Sequence, residues 1–168
     1  MASNLFVQFS DGVQGESEDE NHPGSAGWCE IIDLGLEIEQ EEDVDDEDEE
    51  MTRIVTEPVK FTKYVDTASP QLIQGLAKAT PYATVKIEAL RAYGKDGTSD
   101  PVPYLVIELK DVFISEIKSS YDEGDLPKEE IELIWGQMTF SYTPMDKRTG
   151  EAKPVIPISF NNFTMKTQ

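Results

Sequence analysis

The stretch from Phe61 to Pro81 constrains the fold most, because it contains the only segment with a clear helical pattern. Ser69 and Pro70 are typical of a helix start, since serine can cap a first-turn amide and proline has a preset φ and no amide to lose. The apolar residues that follow share one helical face: Leu72, Ile73 and Leu76. The sequence predicts one helix over about 69–80, which is too short to be stable alone and must cover a sheet.

Most of the remaining chain alternates apolar and polar residues, as strands with one exposed face do. The longest such run predicts one strand with apolar side chains at Trp28, Ile32, Leu34, Leu36 and Ile38, although Ile31 interrupts the alternation. The alternation changes parity near Lys110–Asp111 and at Gly136, which predicts β-bulges. We therefore expect a mainly β fold in one domain over residues 1–168, a curved antiparallel β-barrel or sandwich with one flanking helix and a long acidic loop.

An acidic run fills the segment from Glu37 to Glu50, where eleven of fourteen residues are Asp or Glu. Such a density of like charges cannot pack on itself, so residues 40–51 are predicted to form an extended, solvated loop. Two other interpretations stay open. One is a calcium site, although the run lacks the glycine and ligand spacing of an EF-hand. The other is docking against basic groups of another subunit or partner.

The overall charge limits the partners of this chain. Its 34 acidic residues against 14 basic ones give a formal net charge of −20, which disfavours nucleic acid and anionic membranes. Cys29 is the only cysteine, so neither an intrachain disulfide nor a cysteine-rich zinc site can form. No apolar run approaches 18 residues, and the first residues lack the basic and apolar regions of a signal peptide. We expect no membrane insertion and no cleavable signal.

Catalytic residues are scarce in the sequence. His22 is the only histidine and lies in a loop flanked by proline and glycine, so we expect its side chain to be solvated. Cys29 follows Trp28 at a strand start, where a buried, unreactive thiol is expected. Motifs for nucleotide, metal or acyl chemistry are absent. The sequence therefore predicts no enzyme activity, no cofactor and no metal site.

Five segments spread along the chain match one protein family in order. They are VQGES at 13–17, FTKYVD at 61–66 running into SPQL at 69–72, YLVI at 104–107 leading to DVFIS at 111–115, EIEL at 130–133 and FSYTP at 140–144. Together they resemble the haemolysin-coregulated protein (Hcp) family, the inner-tube subunits of type VI secretion systems. The chain departs from the family's usual pattern in its acidic run and in the last strand, which lacks a Gly-Trp pair.

The resemblance implies a β-barrel with one helix, six copies closing into a ring, and rings stacking into a hollow tube. The implied partners are further copies of the chain, the sheath and spike of the apparatus, and small effector proteins that the tube could carry or chaperone. The protein would be cytoplasmic first and then secreted without a cleavable signal.

Two sets of residues are expected to serve this assembly. The polar positions predicted to face the lumen are Asp33, Gly35 and Glu37. The acidic loop residues predicted to contact other subunits are Glu41, Glu42, Asp43, Val44, Asp45 and Asp46.

Three other functions fit parts of the same pattern. A tail-tube protein of a phage or phage-like contractile particle would share the barrel and the ring. A monomeric ligand-binding barrel would have sealed borders, and an enzyme would need a carboxylate site built from loops. The FTKYVD segment favours the Hcp family over the phage alternative, and the absence of a catalytic set disfavours the enzyme.

Overall fold

The computed structural model describes residues 4–43, 51–92, 100–162 and 166–167. Within these residues the chain forms one helix, α1 (Ser69–Ala77), a 3-10 turn at Gly24–Ala26, and twelve strands. The strands are β1 (Leu5–Phe9), β2 (Trp28–Glu30), β3 (Asp33–Gly35), β4 (Ile38–Asp43), β5 (Met51–Thr56), β6 (Val59–Tyr64), β7 (Tyr82–Ala92), β8 (Pro101–Ser120), β9 (Lys128–Ile134), β10 (Gln137–Tyr142), β11 (Ile156–Asn161) and β12 (Lys166–Thr167). The predicted mainly β fold with one flanking helix is confirmed.

Strand β8 organises the fold because it is 20 residues long and belongs to two sheets. It pairs with β7 and, through successive segments, with β10 and then β9. The break between β9 and β10 falls at Trp135–Gly136, where the sequence predicts an irregularity. The register shift between β8 and β9 lies between Ile114 and Glu116, a few residues beyond the predicted position, while Asp111 has a positive φ of 55°.

The two sheets are antiparallel and curve around a common core. The first has the strand order β2-β1-β7-β8-β10-β11-β12, and the second has the order β3-β6-β9-β8. On the side away from β8 the chain steps from one sheet to the other. Ile31 N donates to Leu5 O (3.0 Å), and Ile32 N donates to Thr62 O (2.7 Å). Since β2 and β3 do not pair with each other in the described part of the chain, the curved sheet does not close into a complete barrel.

This step also corrects the single long strand predicted from Trp28 to Ile38. The structure divides that segment among β2, β3 and the start of β4. Alternation alone does not show such a break, because two short strands that bend between sheets can keep the same parity. Ile31, which interrupts the alternation, is buried at the bend.

The core lies between the inner faces of the two sheets, and α1 packs against β8. Leu72 is fully buried, but Ile73 is 49% exposed, so the helix buries a narrower face than predicted. The N-cap is Ala68, one residue before the predicted N-cap Ser69, which already lies in the first turn. No helix among the described residues is long and apolar enough to cross a membrane.

Candidate assembly surfaces

The core face of the first sheet continues beyond the part that the second sheet covers. One row of apolar side chains crosses four strands, from Ile87 on β7 through Ile107 and Phe140 to Ile158 on β11. The first two residues are buried, Phe140 is partly buried and Ile158 is 44% exposed. Together with its exposed apolar neighbours, this end of the row forms what we call the β10–β11 patch: the partly buried Phe140 and the exposed Tyr142, Val155, Ile156 and Ile158. A core-type surface is thus left without a cover.

The outer edge of β11 is open beside this patch. Strand β12 pairs only with Phe160 and Asn161, which leaves the edge from Ile156 to Ser159 unpaired among the described residues. An apolar strand with an open edge is a site where another chain can add, although Pro157 has no N–H to donate there. Exposed apolar patches of this kind commonly mark protein–protein contacts.

The acidic run forms a ribbon at its base. Strands β4 and β5 pair from Ile38↔Thr56 to Asp43↔Met51 and make a two-stranded sheet of their own. Glu41, Glu42 and Asp43 of the predicted loop therefore lie in a strand, whereas Val44, Asp45 and Asp46 fall outside the described residues. The base of the ribbon lies next to β11, since Thr56 Oγ1 donates to Asn162 Oδ1 (2.8 Å).

The residues predicted to face the lumen lie on or beside a sheet edge. Asp33 and Gly35 belong to β3, which pairs only with β6 in the described part of the chain, and Glu37 follows the strand. All three residues are exposed. The structure therefore makes this polar row accessible, and its place in a lumen stays a prediction.

His22 is buried, so the prediction of a solvated side chain was wrong. Residues 15–27 fold over the outer face of the first sheet, and the imidazole stacks on Phe6 with a centroid distance of 4.4 Å. Its Nε2 lies 2.7 Å from Glu88 Oε2, and its Nδ1 lies 2.9 Å from Asp19 Oδ1. Trp28 meets the ring edge-on. We call this group the His22 cluster.

The His22 cluster holds a loop against the sheet and buries the imidazole. Both ring nitrogens face carboxylates, and Lys86 Nζ contacts the other oxygen of Glu88 at 2.5 Å. Sequence analysis missed the cluster because alternation places Glu88 on the outer face of β7 but does not show that a loop covers that face. The hydrogen bond from His22 is the main reason that the pKa of Asp19 is lowered.

A second buried cluster surrounds Lys63, whose side chain is fully buried. Its Nζ lies 2.8 Å from Glu129 Oε1 and 2.5 Å from Asp66 Oδ1. It also donates to the Tyr64 carbonyl (3.0 Å) and the Ser69 hydroxyl (3.2 Å). This Lys63 cluster joins β6, α1 and β9, and it explains why Ser69 does not cap the helix: its Oγ accepts from Asp66 N and donates to Glu129 Oε1.

Cys29 is buried, as the sequence predicts. Burial is the main cause that raises the pKa of its thiol to about 12, and the nearby negative charge of Asp66 raises it further. The sulfur is thus held as an inert thiol.

Comparison with known proteins identifies the family. The sequence profile of the family described as "Type VI secretion system effector, Hcp" matches residues 6–142. The chain belongs to the Hcp family. Protein hcp1 of Pseudomonas aeruginosa is 25% identical over 164 residues, which covers 95% of this chain and 94% of that protein.

Solved structures show the same fold in Hcp proteins. A structure described as a type six secretion system protein superposes with a TM-score of 0.84 at 23% identity, covering 99% of this chain and 100% of the other. Hcp1 from Salmonella typhimurium superposes with a TM-score of 0.75 at 20% identity, and both chains are covered completely.

Membership of the Hcp family assigns the chain to the type VI secretion apparatus as a tube protein. Hcp proteins are secreted by that apparatus, and the family is structural rather than enzymatic. The surfaces through which this Hcp chain can assemble are therefore its functional sites.

Proposed function

We propose that six copies of this chain close into a ring and that rings stack into a hollow conduit, which is secreted with the type VI apparatus. The observation that carries the proposal is the β10–β11 patch, an apolar continuation of the core face that lies beside an open strand edge. When another copy covers the patch, apolar surface is removed from water, and each Å² buried stabilises the assembly by about 25 cal/mol.

The contact that closes a ring joins two different surfaces of the subunit. The β10–β11 patch lies towards one end of the first sheet, and the exposed edge of β3 lies on the other side of the fold. A head-to-tail contact between these sides repeats from copy to copy until the ring closes. The oligomer then has neither an uncovered patch nor an open edge at the contact.

The polar edge and the acidic ribbon are assigned to further contacts of the assembly. In the proposed ring, Asp33, Gly35 and Glu37 face the lumen, where small effector proteins are carried. The ribbon reaches neighbouring subunits through Glu41–Asp43 and through the adjoining residues Val44, Asp45 and Asp46. The ribbon's isolation supports this assignment, because a two-stranded sheet is marginally stable until another surface covers it.

The sheath and spike of the apparatus are the proposed partners at the outside and end of the conduit. A phage-like tail tube would form the same ring. Genes for a sheath and a membrane complex beside the gene for this chain would support the secretion system, while capsid and tail-fibre genes would support the phage alternative.

Sedimentation velocity and electron microscopy of the purified protein test the ring. We expect particles of about six subunits with a central opening, and a strictly monomeric protein at micromolar concentration and moderate salt would refute the proposal. Replacing both Ile156→Asp and Ile158→Asp should yield monomers. Ile73→Asp is the matched control, because Ile73 is 49% exposed but lies on the helix, against 59% and 44% for the two patch residues.

A further inference from the structure

A cleft of about 430 Å³ opens at the end of β6, next to the start of β9. Its apolar lining consists of Tyr64, Val65, Leu126 and Pro127. Leu126 is 68% exposed and Tyr64 is 45% exposed. Apolar side chains thus form one part of an open cleft.

Carboxylates form the rim of this cleft. Glu16 accepts a hydrogen bond from Thr67 N (3.0 Å), and Asp66 is paired with Lys63. Glu18 and Glu30 are exposed, and neither pairs with a cation among the described residues. The rim therefore has two carboxylates available for a cationic partner. Lys128, beside the cleft, lies with its Nζ over the Tyr64 ring, 5.9 Å from the centroid.

A basic turn between β10 and β11 offers the complementary charge. Asp146 Oδ1 accepts from the backbone amides of Arg148 (2.8 Å) and Thr149 (3.1 Å), and the backbone of Asp146 pairs with Glu151 and Gly150. This turn is therefore held in one shape. The Lys147 and Arg148 side chains at its tip are exposed, and neither forms an ion pair within the described part of the chain.

The turn and the cleft lie at opposite ends of the long ladder on β8. Tyr142, just before the turn, pairs with Leu105, whereas Lys128, beside the cleft, pairs with Ser120. The turn leads directly into the β10–β11 patch, and the cleft includes Glu30 of β2, on the opposite side of the first sheet. Two complementary surfaces at opposite ends fit a head-to-tail contact.

Charge is also distributed unevenly along the chain, with the cleft side acidic and the basic residues in the later part. All 14 lysines and arginines lie in residues 53–168, and residues 1–52 contain 18 of the 34 acids and no lysine or arginine. The segment that builds β1, β2, β3 and one wall of the cleft is therefore purely acidic. A copy approaching with this side is attracted to basic groups and repelled by the same side of another copy.

We propose that Lys147 and Arg148 of one copy dock into the Tyr64–Leu126 cleft of the next copy in the ring, where they pair with Glu18 and Glu30. This contact rests on the proposed ring and extends it, since it names the surface that the turn beside the β10–β11 patch meets. The preformed turn loses little conformational freedom on docking. Six such contacts in a closed ring act together.

Charge reversal tests the contact. The turn variant Lys147→Glu with Arg148→Glu, and the cleft variant Glu18→Lys with Glu30→Lys, should each raise the concentration for half-assembly of rings by about tenfold or more. Combining the two variants restores opposite charges and the parent net charge, so we expect assembly to recover. Lys78→Glu with Lys118→Glu changes the net charge as the turn variant does and should leave assembly unchanged.

Cross-linking identifies which copies meet. A chain carrying both Glu18→Cys and Arg148→Cys is treated with a bifunctional maleimide, and Cys29 does not interfere because it is buried. We expect covalent products that end at the hexamer, while each single variant gives none. Products larger than a hexamer would place the contact between rings and overturn the proposal.

The outcomes separate this contact from the ring itself. Rings that form normally in both reversal variants and remain uncross-linked would refute the docking of the turn and leave the ring intact. A parent protein that forms no rings would refute both. Loss of assembly in each reversal variant without recovery in the combination would also count against the pairing.

Discussion

The two buried ionic clusters each pair a buried carboxylate with a nitrogen-bearing side chain, a lysine in one and a histidine in the other. In the Lys63 cluster a fully buried ammonium reaches Glu129, which is 1% exposed, and it links a strand, the helix and a second strand. In the His22 cluster an imidazole lies between Asp19 and Glu88 and links a loop to the outer face of a sheet. The first cluster joins elements of the core, and the second holds a covering segment.

The two cations suit these positions for different reasons. Lysine carries three N–H donors on one nitrogen, so the Lys63 ammonium reaches Glu129, Asp66 and Ser69 together. Histidine carries its two nitrogens on different sides of a flat ring, so His22 contacts Asp19 through Nδ1 and Glu88 through Nε2. We therefore expect damage to the Lys63 cluster to affect the whole fold, and damage to the His22 cluster to affect mainly residues 15–27.

Lys63→Met should have the largest effect on stability. It leaves Glu129 and Asp66 without their cation, and breaking a buried pair from one side costs about 3–5 kcal/mol of unfolding free energy. Urea denaturation measures the loss. The control Lys60→Met removes an exposed partner of Glu132 on the same strand and should change stability far less. Adding Glu129→Gln to Lys63→Met should recover part of the loss, and equal losses for Lys60→Met and Lys63→Met would contradict the comparison.

His22→Ala should have a smaller and more local effect. Glu88 keeps Lys86 as a partner but loses its buried hydrogen bond, which predicts a loss of about 1–3 kcal/mol. Limited proteolysis should cut first within residues 15–27, while amides of β6 and β9 stay protected from hydrogen exchange. If protection is lost equally in β6, the two clusters are not independent.

Asp19→Asn should flatten the acid limb of the stability profile. The hydrogen bond from His22 lowers the pKa of Asp19 below its ordinary value of 3.8. The aspartate therefore stabilises the fold above pH 3.8, and this contribution is lost as the pH falls through the lower folded-state pKa. Thermal melts between pH 2 and pH 6 should show that the melting temperature falls less steeply with decreasing pH in the variant. An identical fall in both proteins would show that Asp19 does not contribute to the pH dependence of stability.

Labelling of Cys29 reports how often the core beside the Lys63 cluster opens. Its thiol is buried beside Asp66 of the Lys63 cluster, and its raised pKa leaves little thiolate at pH 8. We expect slow reaction with a thiol reagent in the parent and faster reaction in Lys63→Met, because the destabilised core opens more often and exposes the thiol. Rapid labelling of the parent protein would show that the site opens readily.

The sequence predicts features that arise from local residue patterns, such as the buried face of the helix. It does not predict side-chain contacts between residues that are far apart in the chain. Leu72 lies on the buried helical face as predicted, whereas Ser69 bonds to Glu129, 60 residues away, and so does not cap the helix. Lys63 shares the inward parity of Val59 and Phe61, so a charged residue in that row was the available signal for its cluster. For His22, no local pattern in the sequence shows that residues 15–27 cover Glu88.

The assembly surfaces follow the same division. Alternation identifies Ile156 and Ile158 as one apolar face of a strand, but only the register shows that this face continues from the core and then loses its cover. The density of acids predicts a loop at Glu41–Asp43, where backbone pairing with β5 forms a ribbon instead. Charge repulsion between side chains does not prevent pairing of two backbones.

The pairing of remote strands has a kinetic consequence. Consecutive strands such as β7 and β8 form hairpins, but Leu5 of β1 pairs with Ala89 of β7, and Val59 of β6 pairs with Leu133 of β9, so two ladders join residues more than 70 positions apart. Topologies of this kind fold slowly, over milliseconds to seconds. During synthesis β6 waits for β9 to leave the ribosome, and the growing chain exposes open edges until most of it has emerged. We therefore expect its yield in the cell to depend on chaperones.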